Sequence, residues 1–97
     1  MSLDPQLALR GEFSIYRAAE QRQQLLDWLQ PLPAGSRAVL DLAGVTEMDS
    51  AGAQLLVAAR HTARQRGLDL HCARPSAAVQ DVLQLLALHD LVPPPQP

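Results

Sequence analysis

The sequence predicts a small α/β domain built on a parallel sheet. Three observations carry that reading. Short apolar runs of strand character alternate with longer segments of helical period. Glycine and proline fall between the two kinds of segment. A single helix separates successive later strands, a spacing that suits parallel pairing through right-handed crossovers.

The elements follow in order. Leu7 and Leu9, then Phe13 and Ile15, alternate with polar residues and predict two short strands broken at Gly11, a residue suited to a tight turn or bulge. Residues 17–30 have a helical period, with Ala18, Arg22, Leu25 and Leu29 on one face and Ala19 and Leu26 beside it. Pro31 stops that helix, and a turn-rich loop follows to Ser36. Residues 38–42 form an apolar run between Gly35 and Gly44, expected to be a central strand covered on both faces. A short loop then leads to a helix over 51–66, apolar nearly all round in its first half and basic in its second. Gly67 suits its left-handed C-cap, and the arginines of the last turn complement the helix dipole. Residues 68–73 read as a strand with Leu68, Leu70 and Cys72 on one face. Pro75 and Ser76 open a last helix, Ser76 as N-cap and Val79, Val82, Leu83 and Leu86 as the inward stripe. The expected order is ββαβαβα. One domain over 1–92 and a proline-rich tail over 93–97 account for the chain.

Composition narrows the function. The chain has 97 residues, enough for one core, and 47% of them are hydrophobic. With one Phe, one Trp and one Tyr, that core must be aliphatic. The net charge is -2, and the eight basic residues, all Arg, form no cluster that suits nucleic acid or a membrane surface. Cys72 is the single cysteine, so neither an internal disulfide nor a cysteine zinc cluster can form, and its apolar strand predicts a buried thiol. His61, His71 and His89 have no ligand spacing. There is no glycine-rich phosphate loop, no nucleophile–base pair and no metal cluster, so neither an enzyme nor a cofactor is expected. No apolar run can span a bilayer, and a cytoplasmic protein is the default expectation. Trp28 is expected at the core rim, and Asp41, inside an apolar strand, at an exposed edge or in a structural hydrogen bond.

The most informative segment is 38–52. It places Asp49 and Ser50 at a helix start, where backbone N–H groups and the helix dipole favour an anion. Either residue could simply cap the helix. Ala53, three residues after Ser50, cannot complete a capping box. A phosphate on Ser50 would also be well placed there, and could work as a switch.

The run Val39-Leu40-Asp41-Leu42-Ala43-Gly44-Val45-Thr46-Glu47-Met48-Asp49-Ser50-Ala51-Gly52 resembles the signature of STAS domains, which include bacterial anti-sigma factor antagonists and the cytoplasmic domains of sulfate transporters. The opening Gly11-Glu12-Phe13-Ser14-Ile15-Tyr16-Arg17-Ala18-Ala19-Glu20 is similar to the family's second strand leading into its first helix, and the stretch from Gly67 through Pro75 to Leu88 to its closing strand and helix. The resemblance covers roughly residues 5 to 92, with Met48-Asp49-Ser50-Ala51-Gly52 its most specific part. It implies a mostly parallel sheet of four or five strands with helices packed against it. In antagonist members the residue after the Asp is phosphorylated by a partner serine kinase that is also the anti-sigma factor; here that residue is Ser50. The bare form binds the partner and the phosphorylated form lets go. Thr46, Glu47, Met48, Asp49, Ser50 and Gly52 are then the expected partner-binding residues. Ala51 stands where the family often has a second small hydroxyl residue, and Ala53 where it often has Leu or Ile. Members with a similar Gly-Glu opening look like stand-alone domains linked with chemotaxis or two-component systems. Other small members implied by the resemblance serve as a structural subunit on the ATPase of a phospholipid-transport ABC system, with no phosphorylation.

Overall fold

A computed structural model describes residues 4–88 and 91. Its elements are β1 (Gln6–Phe13), α1 (Ala18–Leu29), β2 (Arg37–Met48), α2 (Ser50–Gln65), β3 (Asp69–Ala73) and α3 (Ala77–Leu85). The three strands form one sheet in the order β1-β2-β3, with both pairings parallel. The expected four to five strands are therefore three among the described residues. Two causes account for the difference. Gly11 does not end a strand. It lies within β1 at φ +78 and pairs with Val45, so the chain continues to Phe13 as one strand. Ile15 is outside the sheet altogether, in the connection to α1.

β2 is also longer than the apolar run at 38–42 suggests. The segment expected to be a loop is strand as far as Met48, held by the pairs Arg10↔Gly44, Gly11↔Val45, Glu12↔Glu47 and Phe13↔Met48. It departs from strict alternation because the register slips twice, between Ala8 and Arg10 and between Gly11 and Glu12. Each slip puts one extra residue on β2, as in a bulge. Burial shifts with it: Ala38, Leu40 and Leu42 are buried at intervals of two, and the next buried residue is Val45. β2 is central, as expected, but only one of its faces is closed. Val39 and Asp41, on the other face, are half-buried.

The closed face meets the helices in an aliphatic core. Leu9, Phe13, Leu25, Leu40, Leu42, Leu56, Val79 and Leu83 pack there, with Leu91 joining from beyond α3. A smaller cluster of Leu29, Ala38, Ala63 and Leu68 extends it, and Trp28 sits at the rim of both. In α1 the inward face is shifted from the expected one. Arg22 is exposed, and Gln21 is buried in its stead, donating from Nε2 to the Glu12 carbonyl at 2.9 Å. Leu86, expected in the inward stripe of α3, is 40% exposed. Asp41 makes the structural bond foreseen for it: Oδ1 accepts from the Ala43 N–H at 3.0 Å, and Arg74 lies 3.7 Å from Oδ2. Cys72 is buried, and that burial pushes its thiol up to about 11, away from thiolate chemistry. His61 is exposed and His71 half-buried; His89 and the tail over 93–97 lie outside the described residues.

Helices α2 and α3 end in the same way. After α2, the Leu68 N–H bonds Ala63 O and the Gly67 N–H bonds Arg64 O, with Gly67 at φ +73. After α3, the Leu88 N–H bonds Leu83 O and the Ala87 N–H bonds Gln84 O, with Ala87 at φ +56. Both are Schellman closures, but only the first has the glycine that a left-handed residue favours. Ala87→Gly is expected to stabilise the domain by about 0.5–1 kcal/mol, since relief of left-handed strain outweighs the added freedom of the unfolded chain. Urea unfolding measures it, and a lower midpoint for the variant would contradict the assignment.

Candidate functional site

The segment that ends β2 and starts α2 meets the end of β1, and one side chain joins them. Asp49 is the N-cap of α2, with extended backbone angles. Its Oδ1 accepts from the Gly52 N–H at 3.0 Å, which satisfies one of the free donors of the first helical turn. Its Oδ2 accepts from the Ile15 N–H, also at 3.0 Å and 34 residues away in sequence. The carboxylate thus caps a helix and fastens the β1–α1 connection at once. Both bonds favour its charged form, so its pKa falls below the ordinary 3.8, with the Ile15 N–H the largest cause and the Gly52 N–H next.

Gly52 makes this closeness possible. A Cβ there would collide with the Phe13 carbonyl oxygen and press on the Met48 side chain. Asp49 N–H also points to the Phe13 carbonyl, at 3.4 Å. The first turn of α2 therefore rests directly on the last residue of β1. The connection beyond Phe13 is organised by Ser14. Its Oγ donates to Glu12 Oε1 at 2.6 Å and accepts from the Tyr16 N–H at 3.3 Å, while its carbonyl accepts from the Arg17 N–H at 3.0 Å.

The candidate residues then take definite places. Ser50 is the first residue of α2 and is exposed. The cap itself is Asp49, not Ser50, which leaves the Ser50 side chain outside the capping bond. Thr46 and Glu47 are exposed at the end of β2. Met48 is half-buried, and Gly52 is buried and acts by permitting the close approach. Glu47 lies in register with Glu12 on the neighbouring strand and stands two residues before Asp49 in the chain. Among the described residues, no group of three or more His, Cys, Asp or Glu is placed to hold a metal ion.

Two residues of this surface escape a reading by motif. Ile15 is 66% exposed and Tyr16 88% exposed, and both sit on the connection that Asp49 holds. Alternation with Phe13 assigns Ile15 to a strand. The signal against that assignment is Ser14, a residue prone to local backbone bonding.

Comparison with known proteins matches this geometry to a family. The sequence matches the STAS_2 family, described as "Mlab, STAS domain", over residues 2–93. The chain belongs to the STAS domain family. Solved structures share its fold at low sequence identity. A sulfate transporter family protein from Wolinella succinogenes aligns with a TM-score of 0.72 at 19% identity, over 93% of this chain and 72% of the other. The anti-sigma factor antagonist SpoIIAA in its unphosphorylated form gives 0.70 at 18% identity, over 95% and 81%. The STAS domain of a SulP transporter from Vibrio cholerae gives 0.65 at 20%, over 95% and 70%. Among curated proteins none matches the sequence. No helix among the described residues of this STAS domain is long and apolar enough to cross a membrane.

Two outcomes check the architecture of the site. Gly52→Ala should cost about 1–3 kcal/mol, because backbone atoms of β1 cannot yield to the added methyl; thermal unfolding that leaves the variant as stable as the parent refutes the close approach. Asp49→Asn checks the carboxylate. Because the folded-state pKa is depressed, the stability Asp49 supplies is complete above its unfolded value of 3.8 and is lost as pH falls below that value through the folded one. The stability gap between parent and Asn variant should therefore be full at neutral pH and shrink in the acid range. A gap independent of pH would contradict the charged double acceptor.

Proposed function

We propose that this STAS domain is a phosphorylation-switched protein-interaction module in bacterial signalling, similar in role to an anti-sigma factor antagonist. With Ser50 bare it binds a partner serine kinase acting as anti-sigma factor, or an analogous regulator of a chemotaxis or two-component system. With Ser50 phosphorylated it lets go. In this reading the domain works in the cytoplasm, has no catalysis of its own and needs no cofactor. The observation that carries it is the exposure of Ser50 on the first turn of α2, directly after the capping Asp49.

The physics of release follows from the surroundings. A phosphate adds about -1.5 to -2 charges to Ser50. In the free domain the N–H groups and dipole of α2 tolerate that charge, so the fold need not change. In a complex it would be covered beside Asp49 and Glu47, which already make the patch acidic. Covering an unpaired charge costs several kcal/mol, and each ~1.4 kcal/mol is tenfold in affinity.

A second reading takes its support from the matched family, described as Mlab. There the domain is a structural subunit on the ATPase of a phospholipid-transport ABC system, docked without any phosphate. Incubation with candidate serine kinases, followed by mass spectrometry of the Ser50 peptide, separates the two. The switch predicts phosphate at Ser50, a partner held by the parent and Ser50→Ala, and binding weakened at least tenfold by Ser50→Asp. Equal binding by the Ala and Asp variants removes the switch from this residue, and recovery of an ABC ATPase with no kinase favours the second reading.

A further inference from the structure

Ile15 and Tyr16 are large apolar side chains that the fold leaves in solvent, 66% and 88% exposed. They are not on a loose tip. The Ile15 N–H is fixed to Asp49 Oδ2 at 3.0 Å, the Tyr16 N–H to Ser14 Oγ at 3.3 Å and the Arg17 N–H to the Ser14 carbonyl at 3.0 Å. An aromatic and an aliphatic side chain on a pre-ordered backbone lose little freedom when covered, which is how anchor residues gain affinity. The same carboxylate that holds Ile15 caps the helix on which Ser50 stands. The backbone that carries the apolar pair and the helix that carries the serine are thus tied by one side chain.

The charges beside that surface select its occupant. Glu47 is exposed, Glu12 is in register with it and reaches the same connection through Ser14 Oγ at 2.6 Å, and Asp49 holds the Ile15 N–H. Arg17, the cation of this connection, is paired with Glu20 at 3.1 Å. An anionic membrane surface and nucleic acid are both repelled by such a rim. A second copy of the chain would bring the same carboxylates to face these. A protein whose own surface is basic around an apolar recess is complementary on both counts.

We propose that Ile15 and Tyr16 are the apolar anchors of the docking surface, and that they insert into an apolar recess rimmed by Arg or Lys on a protein partner. This deepens the reading of the Ser50 site and rests on it for the location of docking.

The test places a photo-cross-linking benzophenone amino acid at position 16, and separately at position 47, in the full chain within its native cells. A protein captured from position 16 is purified, and its affinity is measured for the parent, Ile15→Ser, Tyr16→Ser, Glu47→Gln and Ser50→Asp chains, each checked for an unchanged melting temperature. The proposal expects at least a tenfold loss with Tyr16→Ser or Ile15→Ser. It also expects a severalfold loss with Glu47→Gln that disappears at high salt. Unchanged affinity in both apolar variants overturns it, as does an adduct formed only with a second copy of this chain. Adducts from position 47 with none from position 16 likewise overturn the anchor while leaving docking at the Ser50 surface intact. Loss with Tyr16→Ser but none with Ser50→Asp supports the anchor and rejects the phosphorylation switch.

Discussion

The Asp49 carboxylate is the contact on which the candidate functional surface depends. One oxygen closes the first turn of α2 and the other binds a backbone N–H of the β1–α1 connection. Each bond satisfies a donor that would otherwise need water, and each is strengthened by the charge on the acceptor. Neither Ser50 nor Ile15 takes its position from its own side chain. The serine is set by the helix that Asp49 caps, and the isoleucine by the N–H that Asp49 holds.

That arrangement needs the sheet beneath it. Parallel pairing brings the C-terminal ends of β1 and β2 to the same edge, so the residues after Phe13 and after Met48 emerge side by side. The two register slips let the longer β2 stay paired to that edge, and Gly52 removes the one Cβ that would keep α2 away from Phe13. The aliphatic core under Phe13, Leu42 and Leu56 holds both strands and α2 as a unit. The connection is held at its start by the buried Phe13 and along its length by backbone hydrogen bonds.

Much of this was legible in the residues themselves. The three helices follow from their apolar period and their punctuation: Pro31 after α1, Gly67 after α2, Ser76 before α3. The strand–helix unit around Asp49 and Ser50 follows from its motif, and the family from the motif and its neighbours. The strand count was not legible, because Gly11 is compatible with both a turn and a bulge, and only pairing with Val45 decides between them. The end of β2 was hidden for a related reason: its extra residues break the alternation on which a strand is recognised. Gln21 and Arg22 exchange places because a buried amide that reaches the Glu12 carbonyl has no signature in a hydrophobic pattern. Ile15 looks like a strand residue until the long-range bond to Asp49 shows where the chain turns.

The claim that one carboxylate unites the serine-bearing helix with the apolar connection is most directly tested by NMR. Backbone amide signals of Ile15 and Gly52 are followed as pH is lowered through the carboxylate range. The account predicts that both move together, with one midpoint below the ordinary aspartate value of 3.8, and that both movements vanish in Asp49→Asn. Separate midpoints, or an Ile15 amide that does not respond to Asp49, would show that the two elements are not joined by this side chain.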